Sequence, residues 1–226
     1  MKKPPFLNSY IYHVYNRGVE KRDIFMDDHD RFQFIHDLFE FNDENAAIKL
    51  QEQKPSEVGP PKINNRYKRK NSRKMLVEIL AFVLMNNHFH LLLKQKIDNG
   101  VPKFMQKLGT GYTMSFNQKY ERVGCLFQGS YKAVLVEKEA HLKYLPFYMH
   151  LNPLKIFGGP TSEVWDFLEN YRWSSLPDYI GKKNFPSVTQ REFLSTTLGS
   201  NEEHKKEIKS WLRKDKDIKN IIDEII

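Results

Sequence analysis

The stretch Leu80-Ala81-Phe82-Val83-Leu84-Met85-Asn86-Asn87-His88-Phe89-His90-Leu91-Leu92-Leu93 leaves the chain little conformational choice. An apolar run stops at a polar pair, Asn86-Asn87, and a second apolar run follows at once. Asparagine tolerates left-handed backbone conformations, so the pair reads as the turn of a β-hairpin. Along a strand, residues i and i+2 share a face. His88 and His90 therefore project side by side, while Phe89 points the other way, toward a core. Two imidazoles fixed on one strand make half of a divalent-metal site. The same spacing suits two half-buried histidines bonded to their neighbours, and spacing alone leaves both readings open.

The flanking sequence supplies partners for this hairpin, which fills about residues 75–95. Residues 9–15, rich in aromatic and β-branched types, read as a first strand closed by the turn Asn16-Arg17-Gly18. Residues 27–41 open with acidic residues suited to a helix N-terminus, and Phe34, Ile35, Leu38 and Phe41 give one apolar face. His29 and His36 fall in this helix and read as surface or boundary residues. Gly100-Val101-Pro102-Lys103 opens a second helix, with Val101, Phe104, Met105, Leu108, Tyr112 and Phe116 at helical spacing. Gly109 and Gly111 weaken its middle. Lys103 and Lys107 lie on its polar side. A strand over 131–136 and a third helix over 138–151 follow. The order βαββαβ predicts an α+β, ferredoxin-like sandwich with an antiparallel sheet and extra C-terminal helices.

Residues 42–74 differ in character. Apolar residues are sparse, Pro55, Pro60 and Pro61 interrupt, and Lys62, Arg66, Lys68, Arg69, Lys70, Arg73 and Lys74 make the second half strongly basic. This reads as a partly flexible insertion, serving either as an electrostatic grip on phosphates or as a solvated loop. Net charge is +8 over 226 residues, which suits a nucleic-acid partner without requiring one. No run of 18 apolar residues is present, the N-terminus lacks the apolar segment of a secretory signal, and the single Cys125 allows no internal disulfide. The expected setting is therefore cytoplasmic, with no membrane partner; a DNA partner would make it nucleoid-associated. No Gly-rich nucleotide loop and no set of four metal-binding cysteines occurs.

With these motifs in place the chain resembles the single-tyrosine HUH transposases, meaning the insertion-sequence type and especially its REP-associated relatives. The matching segments are Tyr12-His13-Val14-Tyr15-Asn16-Arg17-Gly18, Asp30-Arg31-Phe32, Met85 to Leu93, Leu126-Phe127-Gln128-Gly129-Ser130-Tyr131, Tyr148-Met149-His150-Leu151-Asn152-Pro153, and Tyr171-Arg172-Trp173-Ser174-Ser175. The resemblance covers roughly residues 8–180. It implies a domain over 8–180 carrying the basic insertion, followed by a helical extension over 181–226.

The resemblance also implies a chemistry: cleavage and rejoining of single-stranded, hairpin-adjacent DNA through a 5′-phosphotyrosine, assisted by Mg²⁺ or Mn²⁺. Carried over residue by residue, it makes Tyr148 the nucleophile and His88 and His90 two metal ligands, with Asn152 the third. Residues i and i+4 share a helix face, so Tyr148 and Asn152 can address one ion. Tyr144, one turn earlier, is the alternative nucleophile among eleven tyrosines. Pro146 should kink or break the helix, and Pro153 should bias Asn152 away from helical geometry.

Arg17 at the strand end suits a backbone phosphate, His13 reads as a structural strand residue, and Lys132 is a generic phosphate contact. His150 lies nearly opposite Tyr148 on the helix and reads as structural. The cluster Trp165, Phe167, Tyr171, Trp173 and Leu176 reads as packing back onto the sheet rather than as a base-stacking platform. The tail carries its own helical spacing in Ile208, Trp211, Leu212, Ile218, Ile221 and Ile222. The resemblance leaves monomer and homodimer both open. Two other functions also remain open: a non-catalytic DNA-binding protein derived from a transposase, and a metal hydrolase using water as its nucleophile.

Overall fold

The computed structural model describes residues 3–45 and 73–214. The basic residues Arg66, Lys68, Arg69 and Lys70, and the tail positions Ile218, Ile221 and Ile222, lie outside the described residues.

A four-stranded sheet is built from β1 (Ile11–Arg17), β2 (Val77–Met85), β3 (His88–Gln95) and β4 (Lys132–Leu135), in the order β2-β3-β1-β4 with antiparallel neighbours. This is the expected ferredoxin-like arrangement. The tight turn Asn86-Asn87 joins β2 to β3, so that Met85 faces His88 across the hairpin. β1 runs two residues further than the sequence suggested. Asn16 and Arg17 still pair with Phe89 and His88, and the chain turns only at Gly18. A side chain at Gly18 would collide with the Arg22 carbonyl, which explains a glycine where the strand must leave the sheet in close quarters.

One sheet face is covered by α1 (Asp28–Glu40) and α2 (Gly100–Lys119). Asp27 caps α1 by accepting a hydrogen bond from the Asp30 amide at 3.0 Å. Phe34 meets Phe89 and Tyr112 in the layer between these helices and the sheet. Gly111 does more than weaken α2: the Phe41 ring occupies the place a side chain would take.

The opposite face receives α3 (Glu139–Leu151). α3 stays helical through Pro146, and Asn152 is helical too, at φ −52° and ψ −37°. Both findings correct the proline-based expectation. Leu145, Phe147, Met149 and Leu151 are all buried, and that packing outweighs one missing backbone donor. Pro153 sits in the first turn of a following 3₁₀ helix, Asn152–Ile156, where its lack of an N–H costs nothing.

Beyond come α4 (Val164–Asn170), α5 (Leu176–Tyr179), α6 (Glu192–Leu198) and α7 (Asn201–Lys214). The Tyr171–Ser175 segment runs along the outer edge of β2. Leu84 N–H donates to the Trp173 carbonyl at 2.8 Å, Ser175 N–H donates to the Phe82 carbonyl at 3.0 Å, and the Tyr171 hydroxyl donates to the Leu84 carbonyl at 2.7 Å. These bonds cover an edge that would otherwise invite pairing. Tyr171 and Trp173 are buried there, as the packing reading expected, while Trp165 and Phe167 lie half-buried.

Asn42 marks where the fold resumes control before the insertion. Its carboxamide accepts from the Leu76 and Val77 amides, both at 3.0 Å, and donates to the Val77 carbonyl at 2.9 Å. Asn42 is thus a pinned core residue and not part of a loose loop. No helix among the described residues is long and apolar enough to cross a membrane.

Candidate metal and nucleophile site

Strand alternation sends Phe89 toward α1 and α2 and turns His88 and His90 toward α3. On β1 the same parity places His13, Tyr15 and Arg17 on the α3 side. Register then does what sequence distance hides: Tyr15 stands opposite His90, and Arg17 opposite His88. α3 brings Tyr148 over this face. Its ring sits edge-on to His90 at 5.9 Å and to His13 at 6.3 Å, centroid to centroid. Tyr144, one turn back, stacks on Tyr148 at 6.1 Å and also touches Trp211.

Asn152 is wholly buried and lies against His88, where its amide favours the charged imidazole. Neither its Oδ1 nor its Nδ2 makes a well-formed hydrogen bond among the described residues, and the same is true of the Nε2 atoms of His88 and His90. Buried polar atoms normally have partners, so three such side chains together need an explanation. Two imidazole nitrogens and an amide oxygen are donors that suit a divalent cation, and three protein ligands would leave positions for phosphate oxygens and water.

The rings are in the right protonation state to act as ligands. Burial, with the positive charges of Lys155 and Arg17 adding to it, lowers the His88 pKa to about 4 against a smaller opposing pull from Asn152. Burial and the neighbouring His13 and His88 push His90 well below the usual imidazole range. Burial lowers His13 to about 4. All three are neutral near pH 7, and a metal ligand must be neutral imidazole.

The tautomer of His88 is also set. Its Nδ1 lies 2.6 Å from Asn87 Oδ1, an acceptor that cannot donate. The orientation of the Asn87 amide is fixed by its Nδ2, which donates to the Lys21 carbonyl at 3.1 Å. His88 therefore carries its proton on Nδ1 and leaves Nε2 bare.

Around this centre Arg17 is exposed and donates through Nε to Gln128. Lys132 is exposed on β4 opposite Tyr15, its ammonium 5.9 Å from that ring. Both sit on the histidine side of the sheet. Lys103 and Lys107 do not join them. They ride on α2, across the sheet, and Lys107 Nζ donates to the Asp43 carbonyl at 2.6 Å. Among the described residues one cluster of His and carboxylates is close enough to hold an ion, Asp27, His29 and Asp30. It carries its own counter-ion, since Lys119 Nζ lies 2.7 Å from both aspartates, and it is remote from Tyr148.

His150 points away from the site, as expected from its place on the helix. Its Nε2 lies 2.9 Å from Ser175 Oγ and its Nδ1 3.2 Å from His204 Nε2, joining α3 to the β2 edge and to α7. Tyr15 and the His13–His90 contact went unread in the sequence. The alternation His13, Tyr15, Arg17 was the available signal, but only the β1–β3 register gives it meaning.

Residues 59–152 match the family of IS200-like transposases. The match spans His88, His90, Tyr148 and Asn152. No curated protein matches the chain. Among solved structures the chain is similar to a REP-associated tyrosine transposase bound to a REP hairpin, with a TM-score of 0.50 and 12% identity over 83% of this chain and 89% of that one. At that identity the likeness is one of fold.

Proposed function

We propose that this chain, whose residues 59–152 match the IS200-like transposases and whose fold is like that of a REP-associated tyrosine transposase, acts as a single-tyrosine HUH transposase that cuts and rejoins single-stranded DNA beside a hairpin by way of a 5′-phosphotyrosine. The observation that carries the reading is the meeting of Tyr148 and Asn152, from one face of α3, with His88 and His90 on β3, where His88 Nε2, His90 Nε2 and Asn152 Oδ1 are buried without a well-formed hydrogen bond among the described residues.

In the reaction the Tyr148 oxygen attacks the scissile phosphorus. The bond from phosphorus to the 3′ oxygen breaks, a tyrosyl phosphate ester forms on the 5′ side, and the departing strand takes the proton as a 3′-hydroxyl. One ester replaces another, so the reverse reaction rejoins DNA without an added energy source. A divalent cation such as Mg²⁺ or Mn²⁺, held by His88, His90 and Asn152, would supply Lewis-acid polarisation of the phosphate. The sheet face beside the site offers Arg17 and Lys132 for neighbouring phosphates. Hairpin DNA would be read by shape and phosphate contacts, and unpaired flanking bases by stacking.

The test uses hairpin oligonucleotide pools labelled at the 5′ or the 3′ end, incubated with protein and Mn²⁺ and resolved in SDS. The expected result is a covalent adduct on the DNA 3′ of the cut, absent from Tyr148→Phe and from His88→Ala. An adduct that survives Tyr148→Phe moves the nucleophile to Tyr144. Cleavage without any adduct favours water as the nucleophile, and binding without cleavage favours a DNA-binding role alone.

A further inference from the structure

His13 and His90 share one hydrogen. His13 Nε2 lies 2.9 Å from His90 Nδ1 in a fully buried contact between β1 and β3. The rings are nearly parallel, 5.1 Å apart with 18° between planes, and Tyr15 stacks on His90 at 5.5 Å. Between two neutral rings such a contact has two forms. If His13 donates, His90 must carry its own proton on Nε2. If His90 donates from Nδ1, its Nε2 is bare.

The surroundings distinguish these forms. His90 Nε2 is buried and has no hydrogen-bond partner among the described residues. An N–H there would be a buried orphan donor, which folded proteins avoid. A bare nitrogen there matches His88 Nε2, likewise buried without a partner among the described residues on the neighbouring ring 5.2 Å away, whose bareness the Asn87 oxygen already dictates. We infer that His13 is a positioning residue: it accepts the Nδ1 proton of His90 and so holds the Nε2 lone pair toward the metal position. Asn87 does this for His88, and His13 does it for His90. The pairing explains why a buried polar residue sits on β1 between the apolar Tyr12 and Val14, on the face opposite theirs.

The inference rests on the metal site proposed above, but its first readout needs neither metal nor DNA. Nitrogen-15 NMR of the imidazoles, in chelator and with His90 assigned through a His90→Asn variant, reports which nitrogen carries the proton. Wild type should show His90 protonated on Nδ1. A glutamate accepts but does not donate when ionised, so His13→Glu should keep that form and keep Mn²⁺ affinity within about threefold. His13→Leu removes the acceptor. It should shift the proton toward Nε2 and weaken Mn²⁺ binding about 10–100-fold in titrations followed by the EPR signal of free Mn²⁺.

Wild-type His90 protonated on Nε2 would overturn the inference, with no variant needed. So would a His13→Leu protein with wild-type tautomer and affinity. Failure of the metal reading has a different signature: wild type binds no Mn²⁺ while His90 remains protonated on Nδ1, which leaves the pairing with His13 standing.

Discussion

Replacing Asn152 by leucine should make the metal-free protein more stable. Asn152 is fully buried, and both ends of its carboxamide lack a well-formed hydrogen bond among the described residues. An unsatisfied buried polar group costs about 1–3 kcal/mol. Leucine branches at the same carbon and puts two methyl groups where the oxygen and nitrogen stand, so Asn152→Leu removes that cost and adds apolar contact. The slightly bulkier methyls take back part of the gain. The expected net effect in chelator is about +1 to +2 kcal/mol, a rise in Tm of roughly 2–4 °C for each kcal/mol in a chain of this size. Mn²⁺ should reverse the order. A ligand present at a hundred times its Kd stabilises the form that binds it by about 2.7 kcal/mol, and only wild type retains the third ligand. Urea unfolding of both proteins, with chelator and with Mn²⁺, gives four midpoints that must cross in this way. A leucine variant that is less stable in chelator by more than about 1 kcal/mol, and that Mn²⁺ still stabilises as much as wild type, would refute both the orphaned-amide argument and the ligand assignment.

Other perturbations follow from the same contacts. Asn42→Ala strands two amides and a carbonyl at the start of β2 and should cost about 3–5 kcal/mol by urea unfolding, whereas Asn42→Asp keeps the shared acceptor and should cost less than half of that. Stability should fall as pH drops below about 6.5. Burial holds His13, His88 and His204 near 4 when folded, so between about pH 6.5 and 4 the unfolded chain binds more protons. By pH 5 each contributes a loss of about 2 kcal/mol, and urea midpoints that stay flat from pH 7 to 5 would contradict the burial of these rings. Arg17→Ala and Lys132→Ala should each lower the salt dependence of single-strand binding by about 0.7 in log–log slope, and Lys107→Ala should leave it unchanged, since its ammonium serves the Asp43 and Glu44 carbonyls.

What the sequence disclosed and what it withheld divide along physical lines. The hairpin, the strand parity of His88 and His90, and the helical spacing of Tyr148 and Asn152 are local periodicities, and the fold follows them. The acidic start of α1 and the proline in the first turn of α2 are local as well, and their ends lie close to where spacing put them. The His13–His90 contact is not local. It joins residues on strands adjacent only in the folded sheet, and its register is set by every pair along β1 and β3. The two proline expectations erred because they weighed a backbone preference without its setting: α3 is packed on both sides, and the 3₁₀ turn begins where Pro153 needs it to. The roles of Tyr171–Ser175 and His150 were partly visible as aromatic clustering and helix parity, but the edge they protect appears only once β2 is known to be outermost.

Tyr148 rides on a helix and its companions on a strand, so no covalent or loop geometry sets the gap between them. The packing of Leu145 and Met149, buried on the same helix face as Tyr148, does. This packing acts as a spacer, and under the proposed mechanism its thickness sets the reach of the tyrosine. Adding or removing a methylene there shifts the tyrosine relative to the histidines by a fraction of an ångström, a distance at which covalent chemistry slows well before a fold gives way. Variants at Leu145 or Met149 should therefore register first as slow enzymes and only later as unstable proteins.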